Sequence, residues 1–304
     1  MTYYIIKYIT AYKNIIFRFR IFCALRADGS VNYDGLGTII DEQVENGTDA
    51  IIICGTTGES STLTDEEHIE CIRYCVKRVN KRIPVIAGTG SNDTAYAIQL
   101  SKEAEAAGAD ALLVVTPYYN KTSQRGLVAH FTAIADAVNI PMILYNVPSR
   151  TGVNIAVETY KTLSKHKNIV AAKEASGNLS AVAKIIAACG DDLDVYSGND
   201  DQIVPIMALG GKGVISVLSN VLPKETHEMA QLCLDNNVAE AAKLQIKYLE
   251  LINALFCDVN PIPVKEAMNL MGKNVGSCRL PLYGMEQEKI DKLASALKNA
   301  GLIK

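Results

Sequence analysis

Lys173 closes the apolar run Ile169-Val170-Ala171-Ala172 and is followed at once by Glu174. A lysine just past a strand is ordinarily a solvated surface charge. After such a run, however, it would be delivered to a partly desolvated place. Burial there disfavours the ammonium and frees the amine to attack a carbonyl. Side chains alternate along a strand, so Glu174 would face the other way and need not hold the amine charged. An amine that forms a Schiff base also needs a proton shuttle, and the hydroxyls of Tyr145, Tyr119, Thr56 and Thr57 can both donate and accept. One buried tyrosine alone would read as core packing. Three strand ends offering hydroxyls toward one lysine read as chemistry. Backbone N–H groups of the Gly55–Gly58 turn make a ready anion site for a keto-acid carboxylate. Arg150 could grip a second carboxylate bidentately, or form an exposed salt bridge.

These residues need a scaffold that brings distant segments to one rim. Short β-branched or aliphatic runs recur at 50–54, 84–87, 111–115, 142–145, 169–172, 194–196 and 213–217, with 20–24 (RIFCA) as an eighth at the start. Amphipathic stretches such as 65–79, 94–107 and 127–138 separate them, and Thr64 with Glu67 forms a capping box. Strands that alternate with helices predict a parallel sheet. Eight such units predict a (β/α)8 TIM barrel rather than an open doubly wound sheet, and no GxGxxG follows the first strand. Helical patterns at 223–234, 238–256, 263–271 and 286–300 then give the last barrel helix and a C-terminal three-helix extension. The expected division is an N-terminal segment at 1–27, a catalytic barrel at 28–236 and a helical extension at 237–304. In such a barrel, function gathers at the C-terminal strand ends. Here those ends carry Gly55–Ser60, Thr116–Asn120, Tyr145–Arg150, Lys173-Glu174 and Ser197–Asp200.

The chain of 304 residues is 49% hydrophobic with a net charge of −3 and no basic stripe, which argues against a nucleic-acid partner. No run approaches the apolar length of a membrane span. Eight cysteines (Cys23, Cys54, Cys71, Cys75, Cys189, Cys233, Cys257, Cys278) are dispersed without a CxxC pair. They read as buried free thiols of a reducing, cytoplasmic compartment, with no metal site expected. Residues 1–27 differ from the rest, being rich in Tyr, Ile and Phe and basic without a carboxylate until Asp28. Lysines and arginines interrupt every candidate signal peptide, and a Ser-free stretch fits a transit peptide poorly. An altered start upstream of a normal domain fits better, leaving strand one as the doubtful element.

Six motifs in order carry a resemblance: GTTGES at 55–60, TPYYN at 116–120, LYNVPSRTG at 144–152, KEASGN at 173–178, GGKGVISV at 210–217 and NPIPVK at 260–265. From about Gly29 onward the chain resembles the pyruvate-dependent class I aldolase superfamily, and within it the dihydrodipicolinate synthase family. The resemblance implies a cofactor-free lyase of lysine and diaminopimelate biosynthesis. Pyruvate would form a Schiff base on Lys173 and condense with L-aspartate-4-semialdehyde to 4-hydroxy-tetrahydrodipicolinate. It implies Tyr145 as acid/base, linked through Thr56 to a Tyr119 supplied across a dimer interface in a homodimer or homotetramer. Thr57 would hold the pyruvate carboxylate, Arg150 the semialdehyde carboxylate, and Gly198 and Ile215 would line the pocket. A lysine-feedback site would comprise Ser60, His68, Asn92, Tyr96 and Tyr118, with Tyr96 where an acidic residue would hold the ligand's ammonium. Weak lysine inhibition follows from that change. Related readings are an N-acetylneuraminate lyase, a 2-keto-3-deoxygluconate aldolase, or a non-catalytic barrel should strand one fail to close it.

Overall fold

The computed structural model describes residues 19–20 and 24–304. Eight parallel strands stand side by side in chain order: β1 (Phe19–Arg20), β2 (Ile51–Ile53), β3 (Val85–Gly88), β4 (Ala111–Val115), β5 (Met142–Asn146), β6 (Ile169–Glu174), β7 (Asp194–Ser197) and β8 (Gly213–Val214). On one side β1 pairs with β2, Phe19 opposite Ile51. On its other side it lies against the 3-10 turn Leu218–Asn220 that follows β8. Eight helices cover the outside: α1 (Tyr33–Glu45), α2 (Asp65–Val79), α3 (Thr94–Ala106), α4 (Gln124–Asp136), α5 (Val157–Leu163), α6 (Leu179–Cys189), α7 (Ile203–Ala208) and α8 (Pro223–Leu234). This is the expected (β/α)8 barrel.

Strand side chains divide by parity between two cores, as a sheet buried on both faces requires. Ile52, Ile86, Leu113, Ile143, Ala171 and Tyr196 pack inside the barrel. Their neighbours Ile51, Ile53, Leu112, Leu144, Ala172 and Val195 pack outward under the helices. The capping box starts α2 as expected: Glu67 N donates to Thr64 Oγ1 at 3.2 Å and Thr64 N to Glu67 Oε2 at 3.0 Å.

Three details differ from the sequence reading. The first strand sits at Phe19–Arg20 rather than 20–24; residues 21–23 lie outside the described ones, and Ala24 is irregular. Leu25 instead bonds sideways, its N–H donating to Val275 O at 3.0 Å, because the C-terminal segment passes beside it. The stretch 238–256 is two helices, α9 (Val238–Lys247) and α10 (Leu249–Ala254), broken at Tyr248. Helices α11 (Ile262–Leu270) and α12 (Gln287–Asn299) complete the chain, and α12 packs on both α10 and α11. Among the thiols, Cys257 and Cys278 are only partly buried because they stand on connections, and Cys23 lies outside the described residues. No described helix is long and apolar enough to cross a membrane.

Candidate active site

Ala171 faces the barrel interior, so alternation sends Lys173 inward from the same strand two residues later. There it is fully buried, with Tyr145 of β5 and Tyr196 of β7 beside it in register. Its Nζ has no hydrogen-bond partner among the described residues and stands 4.5 Å from the centroid of the Tyr145 ring. A ring face tolerates a cation but accepts no proton, so the amine keeps its lone pair available when neutral.

Glu174 takes the opposite path. Its carboxylate is buried outside the sheet, where it accepts from Tyr160 Oη at 2.8 Å, Asn146 Nδ2 at 3.0 Å and Ser176 N at 2.8 Å. Burial, then the Glu174 charge, pushes the Tyr160 phenol well above its usual range, so it remains a donor. Gly198, at the end of β7, leaves the space that Lys173 needs. A Cβ there would meet Ala175 Cβ at 2.6 Å and Lys173 Cε at 3.0 Å. Ile215 is buried in the same inner cluster.

Strand β2 opens into a 3-10 turn, Thr56–Gly58, closed by Gly58 N to Gly55 O at 2.9 Å. Thr57 is buried, and its Oγ1 accepts from Asn260 Nδ2 at 3.0 Å. Glu59 follows in the left-handed region at φ 53°. Its buried carboxylate accepts from Lys265 Nζ at 2.6 Å and from Arg279 N at 2.9 Å. Lys265 is buried too and also donates to Ser277 O at 2.8 Å. The Arg279 guanidinium bridges Glu67, Thr62 O and Gly29 O, and it holds the Glu67 carboxyl below its usual range. The C-terminal extension thus clamps the Thr56–Thr57 turn from above.

Arg150 sits on a helical turn, Pro148–Thr151, after β5, and one of its terminal nitrogens donates to Asn260 O at 3.0 Å. A cavity of about 400 Å³ joins Thr56, Val147 and Arg150 to Ser60, His68, Tyr96 and Tyr118. His68 is buried, with Nε2 2.8 Å from Gly88 O; burial lowers its pKa, and Nε2 donates because a carbonyl only accepts. The Tyr96 hydroxyl donates to Asp65 at 2.5 Å, and burial followed by that carboxylate pushes its pKa up to about 12. Asn92 is set apart from this group: its carbonyl accepts from Asn120 Nδ2 at 2.9 Å and it borders a neighbouring cavity. Tyr119 is 90% exposed at φ 67° and does not line the cavity that Thr56 and Arg150 share. A larger cavity of about 470 Å³, between α11 and the segment 276–285, touches none of the mouth residues except through Lys265.

Sequence reasoning missed Glu59, Asn260, Lys265 and Arg279 as residues bonded around the Thr56–Thr57 turn and Arg150. Glu59, Asn260 and Lys265 stood in quoted motifs. Nothing local shows, however, that residues 206 positions apart form one buried ion pair.

A buried, unpaired amine inside a (β/α)8 barrel, with hydroxyls and an arginine on its rim, defines a Schiff-base class of barrel lyase. The sequence model of the dihydrodipicolinate synthetase family matches residues 18–300. The chain belongs to that family. The match extends further toward the N-terminus than the six motifs and takes in β1. A 4-hydroxy-tetrahydrodipicolinate synthase of Acetivibrio thermocellus is 58% identical over 276 residues, which cover 91% of this chain and 94% of that protein. The pyruvate complex of the Acinetobacter baumannii dihydrodipicolinate synthase superposes with a TM-score of 0.93 at 43% identity, over 95% of this chain and all of that one (100%). The Cyanidioschyzon merolae enzyme with lysine bound gives 0.92 at 42% identity, over 95% and 100% of the two chains.

Proposed function

We propose that this chain is a lyase that condenses pyruvate with L-aspartate-4-semialdehyde to 4-hydroxy-tetrahydrodipicolinate, the first committed step toward diaminopimelate and lysine. The observation that carries the reading is Lys173 Nζ, buried without a hydrogen-bond partner beside Tyr145. The amine adds to the keto carbon of pyruvate, and the carbinolamine loses water to give an imine. Loss of a methyl proton then yields an enamine, whose carbon attacks the aldehyde. The semialdehyde's own amine displaces Lys173 as the ring closes, which returns the lysine. Tyr145, next to the amine, moves protons in these steps, and Thr56 links it toward Tyr119. Thr57 and the turn's N–H groups hold the pyruvate carboxylate, Arg150 holds that of the semialdehyde, and Gly198 and Ile215 shape the pocket.

The exposed, left-handed Tyr119 supports a phenol that serves a partner's site in a homodimer, alone or paired into a homotetramer. No cofactor enters the scheme, and free thiols support a cytoplasmic enzyme. The discriminating experiment offers pyruvate with aspartate semialdehyde, N-acetylmannosamine or glyceraldehyde in turn. Turnover is expected with the semialdehyde alone. A preference for either sugar aldehyde would overturn the reading in favour of a sialic acid or ketodeoxygluconate aldolase.

The residues Ser60, His68, Tyr96 and Tyr118, with Asn92 nearby, would form a lysine-feedback site. The Tyr96 hydroxyl is engaged by Asp65, and among the described residues no carboxylate lines the shared cavity to hold an ammonium. Lysine inhibition is therefore expected to be weak. A half-maximal effect at sub-millimolar lysine in the coupled assay would contradict it.

A further inference from the structure

Asn260 touches both carboxylate anchors of the proposed site, through different atoms. Its side-chain Nδ2 donates to Thr57 Oγ1 at 3.0 Å, and its backbone carbonyl accepts from the Arg150 guanidinium at 3.0 Å. The residue is 3% exposed, and its Oδ1 is buried without a hydrogen-bond partner among the described residues. Leaving a buried acceptor unsatisfied is costly. That cost marks an amide held for what its nitrogen does rather than for its own satisfaction.

A hydroxyl has one proton to give. Because Asn260 Nδ2 donates into the Thr57 oxygen, the Thr57 proton is not drawn toward Asn260 and can be donated elsewhere. A carboxylate accepts hydrogen bonds and donates none, so a donor is what the pyruvate carboxylate needs from Thr57.

We infer that Asn260, carried into the barrel mouth by the C-terminal extension, is a positioning residue. Its side-chain amide fixes the Thr57 hydroxyl as a donor toward the keto-acid carboxylate, while its backbone carbonyl orients Arg150 for the second substrate. The inference rests on the proposed role of Thr57. It assigns the extension a part in substrate binding as well as in folding, since Asn260 reaches both anchors from outside the barrel strands.

Asn260→Asp tests the polarity with little change of shape. An aspartate offers only acceptors, so it turns the Thr57 proton toward itself and adds a negative charge near an anion site. Pyruvate KM, and the pyruvate concentration that half-saturates borohydride trapping, should rise roughly tenfold or more, the scale of a lost charge-assisted hydrogen bond. The semialdehyde KM should move much less, because the backbone carbonyl persists. Thr57→Val separates this inference from the reading beneath it. If Thr57→Val leaves pyruvate KM unchanged, Thr57 is not the carboxylate anchor and that reading fails. If it raises pyruvate KM, Asn260→Asp placed on Thr57→Val should add less than about twofold, since the amide then has no hydroxyl to polarise. Thr57→Ser should restore the full effect of Asn260→Asp. Two results would overturn the inference. One is wild-type pyruvate KM in Asn260→Asp, which would mean that the amide accepts from Thr57. The other is an equal fall in kcat and rise in both KM values, undiminished by Thr57→Val, which would mean a purely structural role.

Discussion

Lys173 and Glu174 are adjacent and oppositely charged, and the pleat of β6 keeps them apart. The carboxylate is bonded by a phenol, an amide and a backbone N–H on the outer face; the amine on the inner face has an aromatic ring and no acceptor. Burial disfavours the charged form of a group. The same rule acts on His68 and His130, whose pKa values desolvation lowers. Unfolded, each binds a proton near pH 6.5; folded, it does so only at lower pH. Their contribution to stability is thus complete above about pH 6.5 and declines as pH falls toward the folded values. Thermal melts from pH 7.5 down to 5 should show Tm falling more steeply for the wild type than for His68→Gln, which can still donate to Gly88 O. Parallel curves would contradict the assignment.

Among the elements, most strands and half of the barrel helices were legible because periodicity and length are local signals. Seven runs became β2 to β8, although β8 proved only two residues long, and Thr64 capped α2 as read. Strand one was misplaced because β1 is defined by pairing with Ile51 and Ile52, which a short basic stretch does not reveal. The rim residues Lys173, Tyr145, Thr56, Thr57 and Arg150 were legible from strand ends, but the clamp over them was not. That clamp is the Glu59–Lys265 pair, which joins the β2 turn to α11. Removing one partner of a buried pair leaves an uncompensated charge and costs about 3–5 kcal/mol. Lys265→Met is therefore expected to lower Tm by several degrees and to reduce turnover by loosening the Thr56–Thr57 turn. Adding Glu59→Gln should recover part of the lost stability, because no buried charge then remains unpaired. A single variant as stable as wild type would show that the clamp is dispensable.

At the scale of the whole molecule, one chain presents a barrel mouth but turns one expected hydroxyl away from it. Tyr119 lies open at a left-handed position that non-glycine residues seldom adopt. Such strain is retained where surrounding structure or function requires it, and a second subunit whose site takes the phenol would supply that requirement. Co-expressing Lys173→Ala and Tyr119→Phe chains under different tags, then purifying the hybrid, tests this arrangement. Each parent is expected to be severely impaired. The hybrid should regain one working site, in which Lys173 of one subunit meets Tyr119 of the other. A hybrid no more active than its parents would place Tyr119 in its own chain's site or outside catalysis.

The central claim concerns a single nitrogen. Incubation with pyruvate and borohydride, followed by peptide mass spectrometry, should add one reduced pyruvyl group to the peptide that holds Lys173. Lys173→Ala should take up none while keeping its fold. An adduct on another lysine, or no adduct on a folded wild-type chain, would contradict the account.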